Sequence, residues 1–521
     1  MQPATACAPA TDRPDLLGLF TAHVARQGLC GQNQLRAARA FLRRWPDPQA
    51  WAAEPLEVRL GVPTVTCSFL MFLLMGGYLR PGYDYLVRRK LPSFWRELPH
   101  GPFAADMEVF LSAAADLGFT ERTRVAVGSQ VVGRLLIQSG HNLHQLTDGD
   151  LEEFLTAIRN RQAADGVELR HYVRALRTTR QVLFHLGILE TPPVNAATLL
   201  RQSFTQRMRD ATPVLRPTFV AYLDRLIGTH ARSTVTGTAS RLNNFAAHLA
   251  RVDPDLATLA GLDRRRHIET YLTATAEAVN SRTGAPLSVS ERRGRVLAVH
   301  CLLNDIAEWG WDDTPARRLV FTSDLPKLSR PLPRYLTPDL DRRLTAALQA
   351  HPDRLAADAL LLQRATGLRI GELVDLELDC VHEIPGQGAW LKVPLGKLDT
   401  ERMVPLDDET VAVVDRIVTH RSPGRPLPHP RTGRPTDFLL THHGQRVSVY
   451  LLRDVLTRAC EEAGLPHTTP HQLRHTYATA LVNAGVSLQS LMALLGHVSA
   501  NMSLRYGRLF DATVKAEYER A

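Results

Sequence analysis

Residues 471–506 read HQLRHTYATALVNAGVSLQSLMALLGHVSANMSLRY. The pattern predicts helix, turn and helix over 471–498. His471 and Arg474 stand three apart, which on a helix puts both on one face. The apolar run 488–495 is stopped by Gly496, with His497 at its exposed end. Tyr506 follows His497 by nine positions. Taken singly, each residue has an ordinary reading: His471 and Arg474 suit a polar helix start, His497 a cap, and Tyr506 a half-buried packing residue.

Upstream, Thr366-Gly-Leu-Arg-Ile-Gly-Glu-Leu373 sets Arg369 just after a glycine turn and before a helical stretch. There a guanidinium can be held rigidly and donate bidentately to phosphate oxygens, although a surface arginine is the commoner case. Residues 389–393 and 402–406 predict two strands around a polar turn, with Lys397 at the hairpin tip. A hairpin-tip lysine is normally only solvated. Here, however, the only lysines among 62 basic residues are Lys90, Lys327, Lys392, Lys397 and Lys515. An ammonium can release a proton where a guanidinium cannot, so Lys397 is singled out, with Lys392 as a reminder that chance placement occurs nearby. Helices are predicted over 339–350, 358–364, 408–420 and 447–463, a loop rich in Pro and Arg over 421–435, and a short strand over 438–441.

Together these features resemble the tyrosine recombinase (phage integrase) family: an Arg in TGLRxxEL, a Lys in a hairpin, HxLRH, LLGH, and a Tyr nine residues beyond the last His. One departure lies in the hairpin, where Gly-Lys-Leu-Asp-Thr-Glu-Arg402 stands in place of a second Gly after the Lys. The resemblance implies a catalytic domain over 339–521, mostly α with a small antiparallel sheet, ending in a tail that packs on a neighbouring subunit. It implies that Tyr506 attacks a DNA phosphate, leaving a 3′-phosphotyrosyl link and a free 5′-hydroxyl. Arg369 and Arg474 would clamp the non-bridging oxygens, and His471 would act beside the tyrosine as base or hydrogen-bond donor. His497 would donate to a phosphate oxygen and Lys397 would protonate the leaving 5′-oxygen, with Glu372 and His475 in support. No metal or other cofactor is implied. The implied partners are double-stranded DNA with a specific recombination site and further copies of the chain, a tetramer on two duplexes, or related recombinases. A type IB topoisomerase-like relaxase and a catalytically retired DNA-binding protein are the alternatives.

Ahead of residue 330, three segments leave an apolar helix through Gly and then Pro: Gly77-Tyr-Leu-Arg-Pro81, Gly187-Ile-Leu-Glu-Thr-Pro192 and Gly310-Trp-Asp-Asp-Thr-Pro315. Each is preceded by a helical stripe: Leu35, Phe41 and Leu42; Val131, Leu135 and Leu136; Leu242, Phe245 and Leu249. A helical module repeated over 1–100, 101–210 and 211–325 is the economical reading, followed by a Pro-rich linker at 326–338. The third module is similar to the family's core-binding domain. The expected fold class is therefore a mainly α multidomain protein, with helical core-binding-type modules ahead of the mixed catalytic domain. The resemblance further implies that the third module and the catalytic domain clamp the duplex. Candidate contacts are Arg264, Arg265 and Arg266 with Arg292, Arg293 and Arg295, and each run reads equally as a solvated helix face.

Composition agrees without deciding. The 521 residues carry a formal charge of +9 and a pI near 9.4, a modest bias toward a polyanionic partner. Six scattered cysteines lack CxxC or Cys/His spacing, so neither a zinc site nor a disulfide framework is suggested and a reducing cytoplasm fits. The start MQPATACAPATDRPDLL lacks a signal pattern. The most apolar stretch, 69–79, is too short for a bilayer and predicts a buried core helix.

Overall fold

The computed structural model describes residues 14–26, 31–89, 98, 101–193, 202–281, 283–328, 334–394 and 401–497. Two compact units divide the chain: Met1–Pro193 with Leu332–Ala521, and Val194–Pro331. Among the described residues no helix is long and apolar enough to cross a membrane.

The first unit opens with helices α1 (Leu16–Arg26), α2 (Gln32–Arg44), α3 (Cys67–Met75), α4 (Ala104–Asp116), α5 (Asp148–Asp165) and α6 (Arg170–His185). Apolar all round, α3 is buried all round, as the 69–79 stretch predicts. Phe69 meets Phe20 and Phe41 edge-on, with ring centroids at 4.9 and 5.7 Å. Gly77 and Gly187 adopt φ of 72° and 77°, so both helix exits use the left-handed conformation that glycine supplies. The segments before and after residue 100 share one apolar core running from Phe20 to Leu189.

The second unit packs α7 (Arg216–Ile227), α8 (Arg232–Val252) and α9 (Val289–Glu308). Its core includes Phe219, Leu242, Phe245, Leu249, Leu302 and Ile306, and its exit glycine, Gly310, has φ 68°.

The rest of the first unit carries α10 (Pro338–Ala350), α11 (Arg354–Thr366), α12 (Ile370–Val374), β1 (Val381–Ile384), β2 (Gly388–Val393), β3 (Arg402–Pro405), α13 (Asp408–His420), α14 (Val449–Glu462), α15 (Pro470–Asn483) and α16 (Leu488–Leu495). The predicted hairpin is the β2–β3 pair, with Val393 opposite Arg402. It gains a third antiparallel strand, β1, that the sequence reading lacks. The strand expected over 438–441 is displaced. Asp437 and Leu439, flanking Phe438, bond to the 376–378 segment instead, through Leu439 N–H to Leu376 O and Leu378 N–H to Asp437 O, both 2.8 Å. The pairing falls on Thr441–His442 with Gln445–Arg446. His443 and Gly444 turn that hairpin at φ 53° and 69°, both positive as a type I′ turn demands.

This tight turn seats the N-terminal helices on the catalytic segment. His185, ending α6, lies 2.6 Å from Gly444 O through Nε2 and accepts the Arg425 N–H on Nδ1 at 2.9 Å. Since Nδ1 accepts, the ring is neutral with its proton on Nε2. Burial pushes the His185 pKa down, aided by the nearby Arg425 charge and opposed by the Gly444 hydrogen bond. A Cβ on Gly444 would stand 2.4 Å from His185 Nε2, so glycine leaves room for the imidazole against the turn backbone. Around this contact His443 stacks on Phe119 at 4.3 Å, Gln445 bonds Gln181 at 3.0 Å, and Phe184 joins Leu427 and Phe438 in a small apolar cluster.

Candidate active site

Helix α16 stops at Gly496 with φ 58°, and the His497 N–H returns to Met492 O at 3.0 Å, a Schellman closure. Any helix end leaves its last carbonyls without backbone partners. Here three consecutive ones are each taken by an arginine from a different element. Arg402, opening β3, gives Nε to Leu494 O at 2.8 Å. Arg474, on α15, gives Nη2 to Leu495 O at 2.6 Å. Arg369, at the cap of α12, gives Nη2 to Gly496 O at 3.3 Å. The helix dipole also favours cations at this pole.

Arg474 forms the floor and is only 2% exposed. Its Nη1 donates to Gly367 O at 2.6 Å, joining the TGLR turn to the LLGH turn. Its Nη2 also lies 3.2 Å from His497 Nε2. A guanidinium only donates, so in that contact Nε2 is the acceptor and the ring proton sits on Nδ1. Arg369 forms the rim, with its side chain 24% exposed.

Glu372 holds the rim in place. Its side chain is 2% exposed, with Oε1 2.5 Å from Arg369 Nη1 and Oε2 2.7 Å from Arg402 Nη2. Oε2 also accepts the Arg369 backbone N–H at 2.9 Å, half of a capping box on α12. Burial alone would raise the carboxyl pKa. The hydrogen bond and charge of Arg402, with the backbone and side-chain hydrogen bonds of Arg369, outweigh burial and hold it below the usual carboxylate value.

His471 is exposed and His475 half-buried, with their rings edge-on at 4.2 Å in the first turns of α15. Thus Arg369, Glu372, Arg474 and His497 converge on one helix end, while His471 and His475 pair with each other. Lys397, in the connection bracketed by Val393 and Arg402, lies outside the described residues, as does Tyr506. Another tyrosine, Tyr477, lies against the Gly367 turn. Burial raises its phenol pKa despite the opposing charges of Arg402 and Arg474, so it stays protonated. Arg402 is the site residue that sequence reasoning passed over, because in a chain with so many arginines one more at a strand start carries no signal.

Five of the six candidate arginines of the second unit have internal work. Arg264 pairs with Asp324 at 2.6 Å and donates to Leu319 O. Arg266 pairs with Asp253 at 3.1 Å and Arg295 with Glu291 at 3.6 Å. Arg292 and Arg293 donate to Ala276 O and Pro326 O. Arg265 and Arg266 remain exposed. Among the described residues, no group of three or more His, Cys, Asp or Glu side chains is placed to hold a metal ion.

The model of the phage integrase family matches residues 334–512, a span containing every one of the catalytic candidates. Tyrosine recombinase XerD of Caulobacter vibrioides is 32% identical over 276 residues, covering 51% of this chain and 83% of that protein. Transposase B from transposon Tn554 of Staphylococcus aureus is 26% identical over 291 residues, covering 55% of this chain and 44% of that protein. The chain thus spans less than half the length of that transposase. Among solved structures, the XerH site-specific recombinase bound to difH substrate is 16% identical, with 58% of this chain and 90% of that one covered and a TM-score of 0.44. The chain belongs to the phage integrase family, the tyrosine recombinases.

Proposed function

We propose that the chain is a site-specific DNA recombinase in which Tyr506 attacks the scissile phosphate. The phenolic oxygen bonds to phosphorus, the bond to the 5′-oxygen breaks, and a 3′-phosphotyrosyl link stores the phosphodiester's energy for rejoining by another strand's 5′-hydroxyl. The observation that carries the reading is the mooring of Arg369 and Arg474 on consecutive carbonyls of one helix end. Two fixed guanidiniums are the groups needed to neutralise charge developing on the non-bridging oxygens. A phosphate arriving there competes for the Arg474 Nη2 contact with His497, which frees the imidazole to turn a ring N–H toward the same phosphate. Lys397 delivers the proton to the leaving 5′-oxygen, and His471 serves the tyrosine as base or donor. Glu372 and His475 support these groups.

The proposed partners are double-stranded DNA in the cytoplasm, carrying a specific site, and further copies of the chain, a tetramer on two duplexes, or related recombinases. Among the candidate DNA contacts, Arg265 has an exposed side chain to offer to phosphates, whereas Arg264 is paired with Asp324 and the exposed Arg266 with Asp253. A nicked suicide duplex tests the reading. The native chain is expected to form a covalent adduct that Tyr506→Phe cannot form while still binding DNA, and an adduct in that variant refutes the assignment. Strand exchange between two marked duplexes, rather than relaxation of supercoils alone, separates a recombinase from a relaxase.

A further inference from the structure

We infer that Arg402 is a positioning residue of the cleavage site, setting where the Arg369 guanidinium stands and tying the Lys397 hairpin to it. The inference rests on the recombinase reading above. Arg402 is the first residue of the strand that follows the Lys397 connection, its side chain is 6% exposed, and it touches the other groups of the site from two directions. Nη2 holds Glu372 Oε2 at 2.7 Å while Nε holds Leu494 O at 2.8 Å. The next two carbonyls along that helix end hold Arg474 and Arg369. One guanidinium therefore fixes both the carboxylate that orients Arg369 and the helix end on which Arg369 rests.

Glu372 shows why this matters. It divides its oxygens, Oε1 for the Arg369 side chain and Oε2 for Arg402 and the Arg369 backbone N–H. Without Arg402, the carboxylate is left to turn both oxygens onto Arg369 in the two-pronged pairing that arginine and carboxylate favour. That rotation draws the guanidinium away from Gly496 O and from the position where it would meet phosphate. Nor does lysine substitute, because one ammonium lacks the planar fork that reaches Oε2 and Leu494 O together. Among the described residues, Arg402 Nη1 is buried with no hydrogen-bond partner. Gly496 makes room for the guanidinium: a Cβ there would stand 3.1 Å from Nη1.

The test is single-turnover adduct formation by the full chain at saturating nicked duplex. It uses a native scissile phosphate and one whose non-bridging oxygen is replaced by methyl, which lowers the demand on the arginines. Arg402→Lys is expected to slow adduct formation on the native phosphate by about tenfold or more, a part of the ~10²–10³ typical for losing an electrostatic donor outright, with DNA affinity unchanged. The deficit shrinks to within about threefold on the methyl substrate, and adding Arg402→Lys to Arg369→Lys slows the reaction little further. Equal deficits on both substrates, or deficits that multiply, overturn the inference. Should Arg402→Lys fail to fold around an orphaned carboxylate, Arg402→Met with Glu372→Gln removes both charges together. That pair is expected to show the same substrate-dependent deficit, and wild-type speed in it overturns the inference too. If the native chain forms no adduct, the recombinase reading itself falls; if it does and Arg402→Lys matches it, only the role of Arg402 falls.

Discussion

Replacing Gly367 with alanine strikes the turn that connects two of the site's arginines. Gly367 ends α11 at φ 64° and gives its carbonyl to Arg474 Nη1 at 2.6 Å. The left-handed conformation costs a residue with a Cβ about 1–2 kcal/mol. The added carbon would also stand 2.3 Å from Tyr477 Cδ1 and 2.7 Å from Cε1, well inside the ~3.5–4.0 Å at which carbon atoms rest. Relief requires the ring or the turn to move by more than an ångström. Tyr477 sits on α15 three residues from Arg474, and moving the turn carries the Gly367 carbonyl away from that arginine, so either relaxation disturbs the floor of the site. Overpacking of this kind costs about 1–3 kcal/mol, which brings the expected loss to about 2–5 kcal/mol, with cleavage falling as Arg474 shifts. Native-state hydrogen exchange of α11 and α15 amides measures the loss without requiring the separate cores to unfold together. In a Tyr477→Ala background the clash disappears and only the ~1–2 kcal/mol conformational cost should survive. A Gly367→Ala loss below about 1 kcal/mol, or an equal loss in both backgrounds, would refute the reasoning.

Two further expectations concern pH. Because the Glu372 pKa is lowered from 4.5 in the folded chain, its contribution is fully present above that value and lost as pH falls through the lowered one. Glu372→Gln should cost about 3 kcal/mol near neutrality by orphaning its arginines and flatten the acid limb of the stability profile; parallel acid limbs contradict this. The His185 pKa is depressed below 6.5 mainly by burial, so its contact with Gly444 and Arg425 is strongest above 6.5 and weakens as pH falls below it. Hydrogen exchange at 184–190 and 422–445, corrected for intrinsic rates, should accelerate between pH 7.5 and 5.5, and a flat profile argues against this titration.

The catalytic elements were legible because their signals are local. The helix stop at Gly496, the capped start at Arg369 and the strands on either side of Lys397 each depend on residues a few positions apart. Strand β1 escaped because it is an edge strand: His382 and Glu383 are exposed, and the sequence Val-His-Glu-Ile384 shows no alternation. The apolar run Phe-Leu-Leu440 suggests one continuous strand through Thr441, yet the pairing is split there: Phe438 bridges to Glu377, and only Thr441 enters the ladder with Arg446. The seating of α6 on the His443-Gly444 turn joins residues some 260 positions apart, as at His185 and Gly444, and no periodicity encodes such a contact. The same distance problem hid Arg402, whose partners Glu372 and Leu494 lie 30 and 92 positions away.

The mooring of three guanidiniums on successive carbonyls makes α16 a common lever. It is an eight-residue helix whose first turn, from Leu488 to Ser490, faces outward. A small rotation of so short a rod shifts Leu494, Leu495 and Gly496 together, and with them the resting points of Arg402, Arg474 and Arg369. A load on the open turn of that helix would reach all three cations through their shared anchor, while Gly367 and Glu372 hold them from the other side.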